Sequence, residues 1–187
     1  MSSHHIVREK QEPALLVLDL DDFSFELLGQ LLEWSPTVIA TKETAKQLIN
    51  NHIKVDRIIS SIVSDEQSDV QHILTNHSYI EAAFDFLLEE KYPAVNVITN
   101  DWEPLKAYAN LINLVVYTEA EKIFGVQSGF NKWKPQGEHI RIIDKPLDLT
   151  TRGLKQIGED IYETTADGFY NLQFSKPELL FIAEPID

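Results

Sequence analysis

Along the first two-thirds of the chain, short apolar runs alternate with stretches whose apolar residues recur every three or four positions. The runs at 14–18, 37–41, 57–60, 70–75, 95–99 and 114–117 predict strands. Phe23, Leu27, Leu28, Leu31 and Leu32 mark the core-facing side of a helix over 23–33. Residues 44–51 predict a second helix. Ile80, Ala83, Phe84, Leu87 and Leu88 predict a third over 80–90, with Ser78 as its N-cap. Pro104 suits the first turn of a fourth helix running to about Leu111. Such alternation predicts an α/β domain with a mainly parallel sheet and flanking helices.

From Glu121 onward the pattern changes. Strand-like pieces at 122–127, 139–143, 147–151, 172–175 and 179–183 follow one another, and glycines 125, 129, 137, 153, 158 and 168 mark turns between them. This predicts a C-terminal antiparallel β-domain, sandwich or jelly-roll-like. The expected boundary lies near residue 118, giving domains 1–118 and 119–187. No internal repeat interrupts this order.

Composition narrows the function classes. The 187 residues carry a formal net charge of −14, which disfavours nucleic acid and anionic membrane surfaces as partners. No cysteine is present, so disulfides, thiol catalysis and cysteine-held zinc are excluded. No apolar stretch approaches the ~20 residues of a membrane span. The first residues are polar, with His4-His5 read as native sequence, and a cytoplasmic location is expected.

The candidate chemistry is unusual for what is missing. An α/β scaffold commonly hangs a metal and phosphate site on the turns after its strands. Here those turns carry Lys42-Glu43 and Ser60-Ser61-Ile62-Val63, although the chain has 30 acidic residues. One acidic strand end exists, in LLVLDLDDF. Asp19 as nucleophile and Asp21 as general acid would suit a haloacid-dehalogenase-like phosphatase. That chemistry also needs a Gly-Asp-x-x-x-Asp motif, which is absent, so the acids read better as cap or helix-dipole residues. His72 and His77 have no metal-ligand spacing and read as surface residues. No glycine-rich phosphate loop occurs. Trp102, Phe130, Trp133, Phe169 and Tyr170 could line a pocket for a flat ring, or simply pack.

The two-part order, with SSHHIVREKQEPALL, ELLGQLLEWSP, NNHIKVDRII, EAAFDFL and DLTTRGLK, resembles thiamine pyrophosphokinase, in particular a bacterial branch of that family. The resemblance spans nearly the whole chain and implies an α/β domain followed by a β-sandwich. It implies a homodimer, pyrophosphate transfer from Mg²⁺-ATP to thiamine, and a thiamine pocket between the β-domain of one chain and the α/β domain of the other. The apolar LLFIAEP segment suits such an interface.

The family's motif positions are largely replaced. Asp-Gly after the second strand becomes Lys42-Glu43. Gly-Asp-x-Asp after the third becomes Ser60 to Val63, so Ser61 and Val63 stand where metal-facing acids belong. Thr-Asp-x-x-Lys-Ala becomes Ser78 to Ala83, with Tyr79 at the acid. Leu105 and Lys106 fall at the Asp-His pair, and Asn110 survives. In the β-domain Thr151 to Lys155 keep the Gly-Leu-Lys turn, while Gln156 replaces a common tryptophan and Tyr170-Asn171 replaces Ser-Asn. The chain is also shortened after Leu111. The resemblance therefore implies no catalytic or metal residue at Lys42, Ser61, Val63, Tyr79 or Lys106. It leaves Ser78, Asn110, Arg152, Tyr170 and Asn171 as candidate substrate contacts, with thiamine or a related small molecule as ligand. The expected function is an inactive homologue with a binding or structural role. The alternatives are an active kinase whose metal site is rebuilt from Asp19, Asp21, Asp65 or Asp101, and the phosphatase.

Overall fold

The computed structural model describes residues 12–61 and 70–186. The chain divides into two compact units at Leu114/Val115. His4, His5, Ile62, Val63 and Asp65 lie outside the described residues.

In the first unit, strands β1 (Ala14–Val17), β2 (Val38–Thr41), β3 (Arg57–Ser60), β4 (Gln71–Leu74) and β5 (Ala94–Ile98) pair in parallel, in the order β4-β3-β2-β1-β5. All four residues of β1 are buried. Successive side chains of a strand point to opposite faces, so the centre of this sheet is covered on both.

Helices α1 (Phe25–Leu32), α2 (Lys42–Asn50) and α3 (Tyr79–Glu89) each begin at a hydroxyl cap. Ser24 accepts from the Leu27 amide, Thr41 from Thr44 and Ser78 from Glu81. Each bond satisfies one amide of a first turn, which otherwise has no partner in the helix. Because Thr41 is both the last residue of β2 and a cap, α2 starts at Lys42, two residues earlier than periodicity predicts. Phe23 precedes α1 rather than lying in it, yet it is buried.

The segment after Pro104 forms a short 3₁₀ helix, Glu103–Tyr108, and not an α-helix to Leu111. Its buried Leu105 anchors it, and Tyr108 stacks on Phe84 of α3 with ring centroids 4.0 Å apart. That buried side chain and that stacked ring hold the short helix in place.

The second unit is antiparallel. β6 (Asn113–Tyr117), β7 (Glu121–Val126), β14 (Leu180–Pro185), β9 (His139–Ile143), β12 (Ile161–Thr164) and β11 (Leu154–Gln156) follow one another across one sheet. β10 (Thr150–Arg152), β13 (Gly168–Gln173) and β8 (Phe130–Lys134) form a separate sheet. Val126, Ile140, Ile142 and Ile182 from the first share one buried cluster with Tyr170 and Leu172 from the second.

Strands β8, β11 and β12 were not predicted. Their sequences, FNKWK, LKQ and IYET, contain no apolar stretch longer than two residues and so do not register as apolar runs. Gly153 turns the corner between β10 and β11 at φ +75°. A Cβ there would lie 3.0 Å from the Phe169 carbonyl oxygen, so the Gly-Leu-Lys turn requires glycine for its backbone.

Candidate functional site

In an open parallel sheet, ligands bind outside the carboxyl ends of the strands, where the strand order reverses. The order here reverses between β1 and β5, which directs attention to the turns after those two strands. The Leu18 and Asp19 amides both donate to the Ile98 carbonyl, at 3.0 and 3.3 Å. The Asn100 side chain reaches the Asp21 carbonyl at 3.5 Å. The turns carrying Asp19, Asp21 and Asp101 therefore adjoin.

Within these turns the polar groups are engaged locally. Asp19 Oδ1 accepts the Asp21 amide at 2.8 Å, an Asx-type turn, and Ser24 rather than an aspartate caps α1. Thr99 Oγ1 accepts the Asp101 amide at 3.2 Å. Thr44 Oγ1, buried, donates to the Val17 carbonyl at 2.8 Å and ties α2 to the end of β1. Lys42 opens α2, and Ser61 stands exposed just past β3.

Magnesium takes oxygen donors, chiefly carboxylates and phosphates. Among the described residues, no three carboxylates or histidines come close enough to share an ion. Lys42 and Ser61 offer no carboxylate, so the described donor set does not fit a magnesium centre.

The other predicted positions scatter. Ser78 is occupied as the α3 cap, and Tyr79 is exposed in its first turn. Lys106 pairs with Glu103 at 2.9 Å and lies over the Trp102 ring. Asn110 is exposed after the 3₁₀ helix. A groove of about 500 Å³ runs along the edge strand β4, lined by Arg57, His72, Thr75, His77, Glu81 and Phe86 among others. In it His72 Nδ1 meets Ser60 Oγ at 3.1 Å, while its buried Nε2 has no hydrogen-bond partner among the described residues. His77 is exposed, and among the described residues the two histidines join no metal-binding group.

In the second unit, Tyr170 and Asn171 are consecutive in β13 and so face opposite ways. Tyr170 is 1% exposed, packed edge-on against Phe130 in the core. Expected as a substrate contact, it has no surface to offer, because an aromatic ring at an inward position of β13 fills the core. Asn171 lies on the outer face, where its Nδ2 donates to Asn131 Oδ1 at 3.1 Å. Arg152 sits opposite it in register. On the same face Phe169 and Trp133 are register partners, 70% and 53% exposed. The aromatic group read from the sequence is thus divided, with Phe130 and Tyr170 inside and Trp133 and Phe169 outside.

Comparison with solved structures bears on what this scaffold is. The thiamine pyrophosphokinase from Bacillus subtilis superposes with a TM-score of 0.66, covering 94% of this chain and 100% of that one at 14% identity. The enzyme from Geobacillus thermodenitrificans gives 0.68, with 94% and 98% covered at 13% identity. The yeast enzyme gives 0.70, with 96% and 88% covered at 12% identity. This chain has the thiamine pyrophosphokinase fold. No family model and no curated protein matches it in sequence, so what is shared at this identity is the fold. No helix among the described residues is long and apolar enough to cross a membrane.

One polar constellation in this pyrophosphokinase-type fold escaped the sequence reading. Glu184 on β14 is 5% exposed. Lys132 Nζ bonds both its oxygens at 2.7 and 2.6 Å, Lys134 Nζ lies 3.6 Å from Oε2, and the Tyr170 hydroxyl lies 3.5 Å from Oε1. Burial first, then the Glu184 charge, pushes the Tyr170 phenol well above its ordinary range. The signal was available in part: Lys132 and Lys134 lie two and four positions after Phe130 in FNKWK, so they share its inward face once the segment is known to be a strand.

Proposed function

We propose that this chain is a thiamine pyrophosphokinase homologue that has lost pyrophosphoryl transfer and acts by binding, as a cytoplasmic homodimer whose C-terminal unit is a β-sandwich. The reading is carried by the side chains at the carboxyl ends of the parallel strands. Lys42 follows β2, Ser60 and Ser61 end β3, and no described group of carboxylates is able to hold a metal. Pyrophosphoryl transfer depends on positioning and on neutralising phosphate charge, largely through bound metal. Lys42 is able to neutralise charge, but an ammonium cannot ligate Mg²⁺.

For the binding role, Phe169 and Trp133 form an exposed aromatic pair flanked by Arg152 and Asn171. A flat, cationic heteroaromatic such as thiamine would gain both stacking and cation–π attraction there. Calorimetric titration with thiamine tests this. Saturable binding that Phe169→Ala weakens is expected; no binding at millimolar thiamine would remove thiamine as the ligand.

The second reading, an active kinase with a rebuilt metal site, draws on one observation. The contact from Asn100 to Asp21 brings together the turns that carry Asp19, Asp21 and Asp101.

A further inference from the structure

Inside the second unit, even-numbered residues of β7, β8, β13 and β14 face the shared core, as Phe124, Val126, Phe130, Tyr170, Leu172, Leu180 and Ile182 show. The same alternation carries Lys122 on β7, Lys132 and Lys134 on β8 and Glu184 on β14 to the inward face at one end. Lys122 and Glu184 are register partners on neighbouring strands. Lys132 Nζ lies 5.3 Å from the centre of the Phe124 ring, and Lys122 Nζ lies 5.9 Å from it. Two ammonium groups therefore lie over the Phe124 ring, with Lys134 joined to them through Glu184, in a chain whose formal net charge is −14.

The charges inside the cluster do not balance. Both oxygens of Glu184 are taken up by Lys132, with Lys134 and the Tyr170 hydroxyl close behind. Lys134 also reaches Glu138 at 3.3 Å. Lys122 has no carboxylate within ion-pair distance among the described residues; its contacts are the faces of Tyr117 and Phe124. Burial, and then the neighbouring Lys132, lowers its pKa, with Glu184 acting in the opposite sense and Lys134 adding to the repulsion. A half-buried ammonium held beside two others is unfavourable unless an anion joins it.

The geometry points to an oxyanion site at this end of the β-unit, in which Lys122, Lys132 and Lys134 receive a phosphate-class anion and Glu184 holds Lys132 and Lys134 in place. Three flexible ammonium donors converging from two sheets suit an anion with several equivalent oxygens. Lys132 is 32% exposed and Lys134 14%, so the donors are shielded yet reachable. The inference does not depend on thiamine or on any transferase history.

The test is ³¹P NMR or calorimetric titration with inorganic phosphate in low-salt buffer near pH 7. The full chain is compared with Lys122→Met, which leaves the Lys132–Glu184 pair intact. Lys155→Gln, an exposed lysine on β11, serves as control. Saturable binding is expected, about tenfold weaker or more in Lys122→Met and unchanged in the control. AMP in a parallel titration separates a free anion from a phosphate ester: competition with phosphate extends the site to esters, and failure to compete restricts it to the free ion. Absence of saturable phosphate binding at ~10 mM, well above the ~1 mM range of weak affinities, or equal affinity in Lys122→Met and wild type, would overturn the site.

Discussion

The two units spend their polar residues differently. At the strand ends of the first unit, Asp19, Thr41, Thr44 and Thr99 are satisfied within a few residues or by the next strand, in turns and caps. In the second unit, Lys132, Lys134, Tyr170 and Glu184 come from three strands and converge through contacts spanning up to 52 positions of sequence. Such satisfaction builds scaffold and ties up the polar groups that take part in it. Convergence of buried charge costs desolvation, and it builds a shaped electrostatic feature. Among the described residues, this convergent buried charge belongs to the second unit.

The sharpest way to break the contrast is at Glu184. Glu184→Ala would leave Lys132 and Lys134 facing each other without their carboxylate, and should cost about 3–5 kcal/mol in denaturant unfolding, as loss of one partner from a buried pair does. A loss well under 1 kcal/mol would mean the cluster is effectively solvated. In the first unit, Thr44→Val removes a buried donor to the Val17 carbonyl, and should cost about 1–3 kcal/mol. That result would identify this hydroxyl as structural; an unchanged midpoint would argue that it is held in place for something else.

Ser78→Ala tests the cap of α3, and about 1 kcal/mol of destabilisation is expected in the same assay. The smallest effect concerns pH. Tyr170 is held protonated in the fold above its ordinary value of 10.0, by burial and then by Glu184. Above pH 10 the unfolded chain loses this proton while the folded one keeps it, so the contribution of Tyr170 to stability declines as pH rises. Unfolding followed from pH 9 to 11 (a range chosen to bracket that value) should therefore fall more steeply in wild type than in Tyr170→Phe.

Much of the first unit was legible in the sequence. Its central strands β1 and β2 are nearly continuous apolar runs, buried along their whole length, and Ser78 announced its helix. The limits of α2 were not, because Thr41 serves strand and cap at once. The 3₁₀ helix was misjudged because Pro104 signals a helix start but not its type. In the second unit, β8 and β12 were hidden because neither holds an apolar run: β8 turns Lys132 and Lys134 inward and Trp133 outward, and β12 buries Tyr162 and Thr164 while exposing Ile161. The same oversight concealed the lysine cluster, since an inward lysine is visible only after its strand is. At the candidate site, the lack of a carboxylate at Lys42 and Ser61 could be read directly. The burial of Tyr170 could not, because nothing in sequence says which of two neighbouring residues points inward.

The central claim is that pyrophosphoryl transfer has been lost while the scaffold remains. It is tested most directly by measuring AMP formed from Mg²⁺-ATP with and without thiamine, using purified protein free of other kinases. The account predicts no AMP above background under either condition. Thiamine-dependent AMP that Asp21→Asn or Asp101→Asn abolishes would contradict it, and would place a working metal site in the turns after β1 and β5.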